Sequence, residues 1–210
     1  EFAQYASKIG LDIWEICDGA NTKPYGILPL YPSAGVGGHC IGVDSCALAW
    51  SARQKNFTLG LVEKALAVHN SVPSHIVGLI EKALDTTLSS EIAGSHILLL
   101  GASYKPYVAD SRESACRDIW KLLEDKRATV EYYDPLIPSM WLTKDRKVNS
   151  VVFGAESVGK ADCIVICQPF PRDNRVYTDL FVDAKSIVDC CNVYPKQVKY
   201  YHKEGKVFSL

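Results

Sequence analysis

The run Ile97-Leu98-Leu99-Leu100-Gly101 decides how the second half of the chain is expected to fold. A short apolar run that ends at a glycine is typical of a strand buried on both faces of a parallel sheet. A helical pattern follows over residues 112–126, and a second strand pattern over residues 129–133 stops at Asp134-Pro135. Further strand patterns occupy residues 151–153, 162–167, 186–190 and 207–208. Strands separated by helix-length segments predict a doubly wound parallel sheet.

The first half of the chain has a different pattern, in which apolar side chains recur every three or four residues. Such spacing predicts helix over residues 1–20 and again over residues 44–84. Pro73 lies inside the second stretch, and we expect it to end or kink the helix there because proline lacks the N–H of the helical bond. We therefore predict an α/β protein with a helical domain at residues 1–93 and a Rossmann-like sheet domain at residues 94–210.

Between the two helical stretches lies a loop at residues 29–44, which includes Tyr31-Pro32-Ser33-Ala34-Gly35-Val36-Gly37-Gly38-His39-Cys40 and reaches Asp44. Three glycines surround one cysteine, and a carboxylate follows four residues later. Glycine lets the backbone approach a bulky ligand closely. A thiol on such a loop can be reached by substrate, and its thiolate is a strong nucleophile. The pattern favours loop 29–44 as a candidate active-site loop.

Composition limits the class of protein. Of the 210 residues, 48% are apolar and 22% are charged, and the formal net charge is −1, which supports a packed core and argues against disorder or a nucleic-acid-binding surface. No apolar run reaches the roughly 18 residues of a membrane helix, and no signal-peptide pattern is present. We therefore expect a cytoplasmic protein with no membrane or nucleic-acid partner. The eight cysteines are expected to act mostly as small buried hydrophobes, and their spacing predicts no metal site.

The loop resembles the active-site signature of the UDP-glucose/GDP-mannose dehydrogenase family, in particular of its UDP-N-acetylhexosamine 6-dehydrogenase branch. Residues 1–26 are similar to the family helix before that loop. Leu100-Gly101-Ala102-Ser103-Tyr104-Lys105-Pro106, continuing to Asp110 and Arg112-Glu113-Ser114, is similar to a later family signature. The resemblance covers nearly the whole chain. It implies a helical central domain that forms a homodimer through a long central helix, followed by a Rossmann-like UDP-binding domain that takes a UDP-sugar.

Members of this family begin with an NAD-binding domain whose first turn reads Gly-x-Gly-x-x-Gly, a motif that places the pyrophosphate on a helix N-terminus. That motif does not occur in these 210 residues. The resemblance therefore implies the central and C-terminal domains of such an enzyme, without the NAD domain and the catalytic lysine and asparagine that precede them. NAD is the cofactor implied for the intact enzyme, and none is expected to bind this chain alone.

The resemblance also assigns catalytic roles in a double oxidation of the C6 alcohol of a nucleotide sugar. Cys40 corresponds to the nucleophile that captures the intermediate aldehyde as a thiohemiacetal, which is oxidised to a thioester and hydrolysed to the uronic acid. Asp44 corresponds to a residue that orients the water or transfers a proton. On the residues alone, Cys40 could instead be a small buried thiol in a turn, and Asp44 a helix N-cap.

Five further residues are implied to contact ligands. Tyr31 would pack on the sugar, or only wedge the loop, and the backbone at Gly37 and Gly38 would approach the sugar and phosphate. Lys105 would bind substrate or a phosphate, whereas the simpler interpretation is a surface lysine after a strand. Arg112 would reach the cofactor or the substrate from the facing side, the alternative being an ordinary arginine in the first turn of a helix.

Departures from the family pattern leave the present activity open. Gly42 and Ala115 replace prolines, Ala109 replaces an aspartate, and Cys191 and Leu66 lie where arginines are usual. We therefore keep three interpretations. The chain is the substrate-side portion of an NAD-dependent UDP-sugar 6-dehydrogenase of polysaccharide biosynthesis, inactive alone; or a non-catalytic UDP-sugar-binding or oligomerisation module; or a scaffold repurposed for a non-redox reaction.

Overall fold

The computed structural model describes residues 1–169, 180–193 and 207–210. Residues 170–179 and 194–206, which belong to the predicted sheet domain, lie outside the described residues. Helices come first in the chain: α1 Phe2–Ile9, α2 Ile13–Asn21, α3 Ile41–Arg53 and α4 Gly60–Leu88. The elements that follow are β1 His96–Leu100, α5 Ala115–Asp125, β2 Thr129–Tyr133, β3 Ser139–Trp141, β4 Lys147–Asn149, α6 Ala155–Lys160, β5 Cys163–Ile166, β6 Ile187–Asp189 and β7 Val207–Ser209.

Five of the strands form a parallel sheet in the order β2-β1-β5-β6-β7. In the central strand β1, Leu99 lies opposite Tyr132 of β2 on one side and Val165 of β5 on the other. Leu99 packs in a core shared with α4 and α5, whereas its neighbour Leu100 packs in a second core against α6. Helices therefore cover both faces of the sheet, and the predicted doubly wound parallel sheet is confirmed.

The long helix α4 connects the helical part of the chain to the sheet. Its C-terminal half buries Ile76, Ile80 and Leu84 in the same core as the central strand. Each such side chain contributes roughly 1.5–3 kcal/mol by burial. Their sum exceeds the roughly 3 kcal/mol that a proline costs inside a helix. Accordingly α4 continues through Pro73, so of the two expected outcomes, a helix end or a kink, the helix end does not occur. Among the described helices, α4 included, none is long and apolar enough to cross a membrane.

Residues 1–20 form two helices rather than one continuous stretch. The first ends where Gly10 adopts a left-handed conformation with φ of 73°. The second begins at Asp12, whose carboxylate accepts hydrogen bonds from the backbone N–H of Trp14 at 2.8 Å and of Glu15 at 3.4 Å. Glycine favours a left-handed helix end and aspartate a helix start, so local signals explain this break.

The segment between β2 and β5 also differs from the prediction. Residues 151–153 form no strand; Val152 is 88% exposed, and the ring of Phe153 stacks on that of Tyr133 with centroids 5.0 Å apart. The short strands β3 and β4 instead form an antiparallel hairpin, in which the Lys147 ammonium lies 5.6 Å from the centroid of the Trp141 ring. Strands of three residues are too short for an alternating pattern to identify them in a sequence.

Candidate functional site

The carboxyl ends of β1, β5 and β6 meet at one edge of the sheet. The chain runs from β1 to β2 on one side and later returns to β5 on the other side of β1, so the winding direction reverses between β1 and β5. Parallel sheets bind ligands in the crevice at such a switch point. The two strand ends approach closely there, because a Cβ added at Gly101, where φ is +87°, would lie 2.7 Å from the carbonyl oxygen of Gln168.

A buried carboxylate fixes the turn that leaves β1. Asp134 is only 4% exposed, and its Oδ2 accepts hydrogen bonds from the backbone N–H groups of Ala102 at 2.8 Å and Ser103 at 3.0 Å. Its Oδ1 accepts a third bond from the Leu136 N–H at 2.8 Å. In dinucleotide-binding folds, the N–H groups after the first strand bind the pyrophosphate. Here the Asp134 carboxylate already accepts hydrogen bonds from the corresponding N–H groups.

The glycine-rich loop packs against the segment that follows this turn. A Cβ added at Gly37 would lie 2.6 Å from the carbonyl oxygen of Glu113 and 2.8 Å from the Cβ of Tyr104. At Gly38, where φ is +92°, it would lie 2.7 Å from the Tyr104 ring. No side chain fits at either position, so these two glycines let the helical part of the chain contact the sheet part. Their predicted contact with sugar or phosphate stays a prediction.

A cleft of about 900 Å³ opens between the glycine-rich loop and the ends of the strands. Its lining includes five of the residues predicted as a site: Tyr31, Gly37, Gly38, Cys40 and Lys105. The volume is in the range of ligand pockets, which is about 300–1,000 Å³. The structure therefore brings the predicted nucleophile and the predicted substrate-binding lysine to one cavity, although 65 positions separate them in the sequence.

Cys40 immediately precedes helix α3. It is exposed, and it occupies the N-cap position with φ of −91° and ψ of −57°. The first N–H groups of a helix have no partner within the helix and favour negative charge nearby. Because Cys40 is exposed, the interpretation of this residue as a small buried thiol is wrong.

Asp44 lies in the first turn of α3, with its backbone N–H donating to the Cys40 carbonyl at 2.8 Å. The alternative interpretation of Asp44 as the N-cap is wrong, because Cys40 holds that position. The Asp44 side chain is exposed and is not part of the cleft lining within the described residues. Residues four apart share one face of a helix, so Asp44 lies on the same face as Cys40.

Arg112 does not line the cleft in the described part of the chain, and its side chain is 70% exposed. Its guanidinium donates to both oxygens of Asp110, the shortest contact being 2.6 Å, and this lowers the pKa of that carboxyl. The alternative of a first-turn arginine is also wrong, since α5 begins at Ala115 after the N-cap Ser114. Arg112 instead belongs to the connection between β1 and α5.

The wall of the cleft opposite the sheet is aromatic. Tyr31 stacks on Trp14 with ring centroids 5.8 Å apart and an interplanar angle of 16°. The Tyr31 hydroxyl accepts a hydrogen bond from the Asn21 amide at 2.9 Å and donates one to Asp18 at 3.0 Å. Tyr31 therefore anchors the loop to α2 and also presents its ring to the cleft, so both interpretations offered for it are compatible with its place.

The lining also includes residues that the sequence did not predict as site residues, among them Trp14, Asp18, Gln168 and Asn192. Trp14 and Asp18 are four apart on α2, a spacing that places two side chains on one face of a helix. Gln168 and Asn192 follow the carboxyl ends of β5 and β6. The rule that ligands bind beyond the carboxyl ends of parallel strands would have indicated the last two.

The cysteines other than those near the loop belong mainly to the core. Cys116, Cys163, Cys167 and Cys190 are buried, as their apolar surroundings predicted. Burial raises the pKa of the Cys163 thiol to about 12, and raises that of Cys190 as well. These groups are held as neutral thiols. Within residues 1–169, 180–193 and 207–210, no three His, Cys, Asp or Glu side chains are arranged to hold a metal ion.

Family models match both the helical part and the sheet part of the chain. Residues 1–71 match the central domain of the UDP-glucose/GDP-mannose dehydrogenase family, and residues 98–196 match its UDP-binding domain. The chain is 30% identical over 217 aligned residues to the UDP-N-acetyl-D-mannosamine dehydrogenase of Methanocaldococcus jannaschii, an alignment that covers 100% of this chain and 46% of that protein.

Solved structures give the same result. The UDP-D-ManNAc dehydrogenase of Pyrococcus horikoshii superposes with a TM-score of 0.78 at 26% identity, over 93% of this chain and 44% of that one. An NDP-N-acetyl-D-galactosaminuronic acid dehydrogenase of Methanosarcina mazei has a TM-score of 0.81 at 22% identity over 100% of this chain and 45% of that one, which shows the shared fold. The chain spans less than half the length of these relatives. It belongs to the UDP-glucose/GDP-mannose dehydrogenase family and carries the central and UDP-binding domains of that family.

Proposed function

We propose that this chain is the substrate-side portion of an NAD-dependent nucleotide-sugar 6-dehydrogenase that converts a UDP-N-acetylhexosamine or a UDP-hexose to its uronate. The observation that carries the proposal is the cleft at the switch point of the sheet, which joins Cys40 to Lys105. The names of relatives such as the UDP-N-acetyl-D-mannosamine dehydrogenase of Methanocaldococcus jannaschii favour an N-acetylated sugar. A ligand of this kind would place its phosphates towards Lys105 and its sugar towards Cys40.

In this proposal Cys40 captures the C6 aldehyde of the substrate. The sulfur forms a bond to the carbonyl carbon, the carbonyl electron pair moves to oxygen, and that oxygen takes a proton to complete the thiohemiacetal. The N-terminal N–H groups of α3 favour the negative charge that develops in this step. Asp44 is proposed to orient the water that later hydrolyses the thioester, or to move its proton, since it shares a helix face with Cys40.

The described residues do not fit a dinucleotide. The N–H groups of Ala102 and Ser103, which follow the first strand of the sheet, are bound to the Asp134 carboxylate, and no Gly-x-Gly-x-x-Gly turn is present in the sequence. The resemblance implies that NAD accepts hydride in the intact family enzyme. We propose that this chain binds no NAD by itself and that Arg112 would contact the cofactor or the substrate only from outside the cleft.

We also propose a homodimer that forms through the central helices. Support comes from large apolar side chains that the single chain leaves exposed on α3 and α4, of which Trp50 is 63% and Leu61 is 86% exposed. Exposed apolar patches of this kind mark interaction surfaces. The proposal places the dimer contact on the helical part and leaves the cleft accessible.

Calorimetric titration of the 210-residue chain with UDP-N-acetylglucosamine, UDP-glucose, UDP and NAD tests the proposed function. We expect a UDP-sugar to bind without NAD. Lys105→Ala should weaken that binding by about 10- to 100-fold, which corresponds to one hydrogen bond to a charged group. Lys144→Ala, at an exposed lysine in the β3–β4 turn, serves as the matched control and should bind as the unaltered chain does.

The outcomes separate the three interpretations. Binding that depends on Lys105, with an iodoacetamide-reactive Cys40 that bound UDP-sugar protects, supports the substrate-side portion. Binding that leaves Cys40 unprotected favours a non-catalytic binding module. If no nucleotide or UDP-sugar binds, the proposed function is wrong, and a scaffold used for a different reaction becomes the better account.

A further inference from the structure

One aromatic ring lies between the loop that carries Cys40 and the segment that carries Lys105. A Cβ added at Gly38 would meet Cε2 and Cδ2 of Tyr104 at 2.7 and 2.8 Å, and one added at Gly37 would meet the Tyr104 Cβ at 2.8 Å. Real Cβ atoms do not approach other carbon atoms so closely. The two glycines therefore place bare backbone directly against this ring.

The base of the ring is fixed to the sheet on both sides of the switch point. The Tyr104 backbone N–H donates to the Asp110 carbonyl at 2.9 Å, which closes the segment after β1. The Tyr104 carbonyl accepts a hydrogen bond from the Gln168 side-chain amide at 3.3 Å, which connects it to the end of β5. Tyr104 is thus part of the sheet domain, whereas the glycines that it contacts belong to the helical domain.

Tyr104 and Gly38 each lie close in sequence to a residue of the proposed site. Lys105 is the next residue after Tyr104, and Cys40 is two residues after Gly38. A movement of the ring therefore changes the distance between the thiol and a substrate bound at Lys105. In enzymes a misplacement of about 1 Å can cost about 100-fold in rate.

We propose that Tyr104 is a positioning residue whose ring sets the place of Cys40 relative to a substrate bound at Lys105. The inference rests on the proposed function for the identity of that substrate. The structural part of the proposal is that the ring determines where Cys40 lies. It rests on the contacts of Tyr104 with Gly37 and Gly38 and can be tested without a substrate.

The first experiment measures alkylation of Cys40 by iodoacetamide, read at that residue by peptide mass spectrometry. Tyr104→Ala should change the rate by about threefold or more, whereas Tyr104→Phe, which keeps the ring, should restore it. The matched control is Tyr107→Ala, at a 48% exposed tyrosine of the same connection that does not line the cleft in the described residues. Equal rates in Tyr104→Ala and in the control overturn the proposal.

A double-substitution cycle assigns the effect to the contact itself. Gly38→Ala forces its new Cβ against the ring and should change the alkylation rate as well. Once Tyr104 is alanine, Gly38→Ala should have a smaller effect, because the atoms that it would meet are gone. Fully additive effects would overturn the proposal, since they would mean that the ring and the glycine act separately.

The second experiment adds saturating UDP-N-acetylglucosamine. Because Tyr104 also lines the cleft, the comparison is made with the ligand at saturation for each variant: protection of Cys40 should fall about tenfold in Tyr104→Ala and should be retained in Tyr104→Phe. Loss of affinity, protection and melting temperature together would indicate a merely structural role and overturn the proposal. If the unaltered chain binds no UDP-sugar, the proposed function fails, while the alkylation rates without ligand still decide the positioning role. Tyr104→Leu replaces Tyr104→Ala if the latter does not fold.

Discussion

The carboxylate of Asp134 gives the sharpest stability prediction, because it satisfies three backbone N–H groups at once. In Asp134→Ala all three lose their acceptor. Leu136 is 43% exposed, so water can replace the bond to its N–H, whereas Ala102 and Ser103 are buried. Each buried donor left unsatisfied costs about 1–3 kcal/mol. Two such donors give an expected loss of about 2–6 kcal/mol in the free energy of unfolding.

The assay is urea denaturation followed by tryptophan fluorescence and circular dichroism. The midpoint should fall while the slope stays constant, since the loss concerns the native state and not the surface exposed on unfolding. Asp134→Asn should lose only about 1–2 kcal/mol, because the amide oxygen can still accept from two of the three donors. Asp145→Ala, at an exposed aspartate of the hairpin turn, is the control and should stay within about 0.5 kcal/mol.

A loss below about 1 kcal/mol in Asp134→Ala would refute this reasoning, because it would mean that the N–H groups after β1 find another acceptor at no cost. The same variant should weaken binding of UDP-N-acetylglucosamine in the titration described above, since the released turn carries Lys105. Unchanged affinity together with a large loss of stability would show that the turn and the lysine are independent.

Three further perturbations test separate parts of the structure. Gly101→Ala places a Cβ against the backbone of Gln168 at a positive φ, so the melting temperature should fall by about 8 °C or more, and an unchanged value would contradict the close approach. Trp50→Glu should shift the chain from dimer to monomer in sedimentation velocity if α3 contributes to the proposed interface; a monomeric unaltered chain would contradict the dimer. Burial raises the pKa of Asp162, but the backbone N–H of His96 and the Lys185 ammonium outweigh it, so the net pKa is lowered. Its stabilisation is therefore present above about pH 4 and declines as the pH falls further, and Asp162→Asn should lower the melting temperature more at pH 7 than at pH 2.

The parts of the fold that the sequence predicts are those in which burial is uniform along a segment. Strand β2 has the predicted bounds, and the apolar run of β1 lies in the centre of the sheet. A strand buried on both faces needs apolar residues at every position, so its sequence is distinctive. The same reasoning fails for residues 151–153, where Phe153 is apolar because it stacks on Tyr133 and not because it pairs with a strand.

The candidate site was predictable only where several unusual residues are contiguous. Loop 29–44 combines glycines, a cysteine and a carboxylate within a few positions, and this combination is visible in the sequence. Trp14 and Asp18 lie in an ordinary amphipathic helix, and nothing local shows that α2 faces a cleft. Both residues meet Tyr31, which stacks on Trp14 and donates to Asp18 from 13 positions further along the chain, and a contact at that separation leaves no local pattern.

The turn after β1 differs from its counterpart in a dinucleotide-binding domain in what its N–H groups bind. In a dinucleotide-binding domain, the turn after the first strand offers its N–H groups to a pyrophosphate. Here the Asp134 carboxylate accepts hydrogen bonds from those N–H groups, so in the proposed complex the phosphates would meet Lys105, which lines the cleft, and not the turn itself. In that complex the anion would lie further from the sheet and closer to the loop that carries Cys40. If Lys105 binds the phosphates as proposed, their charge would lie away from the strand end and next to the loop that carries Cys40, the proposed nucleophile.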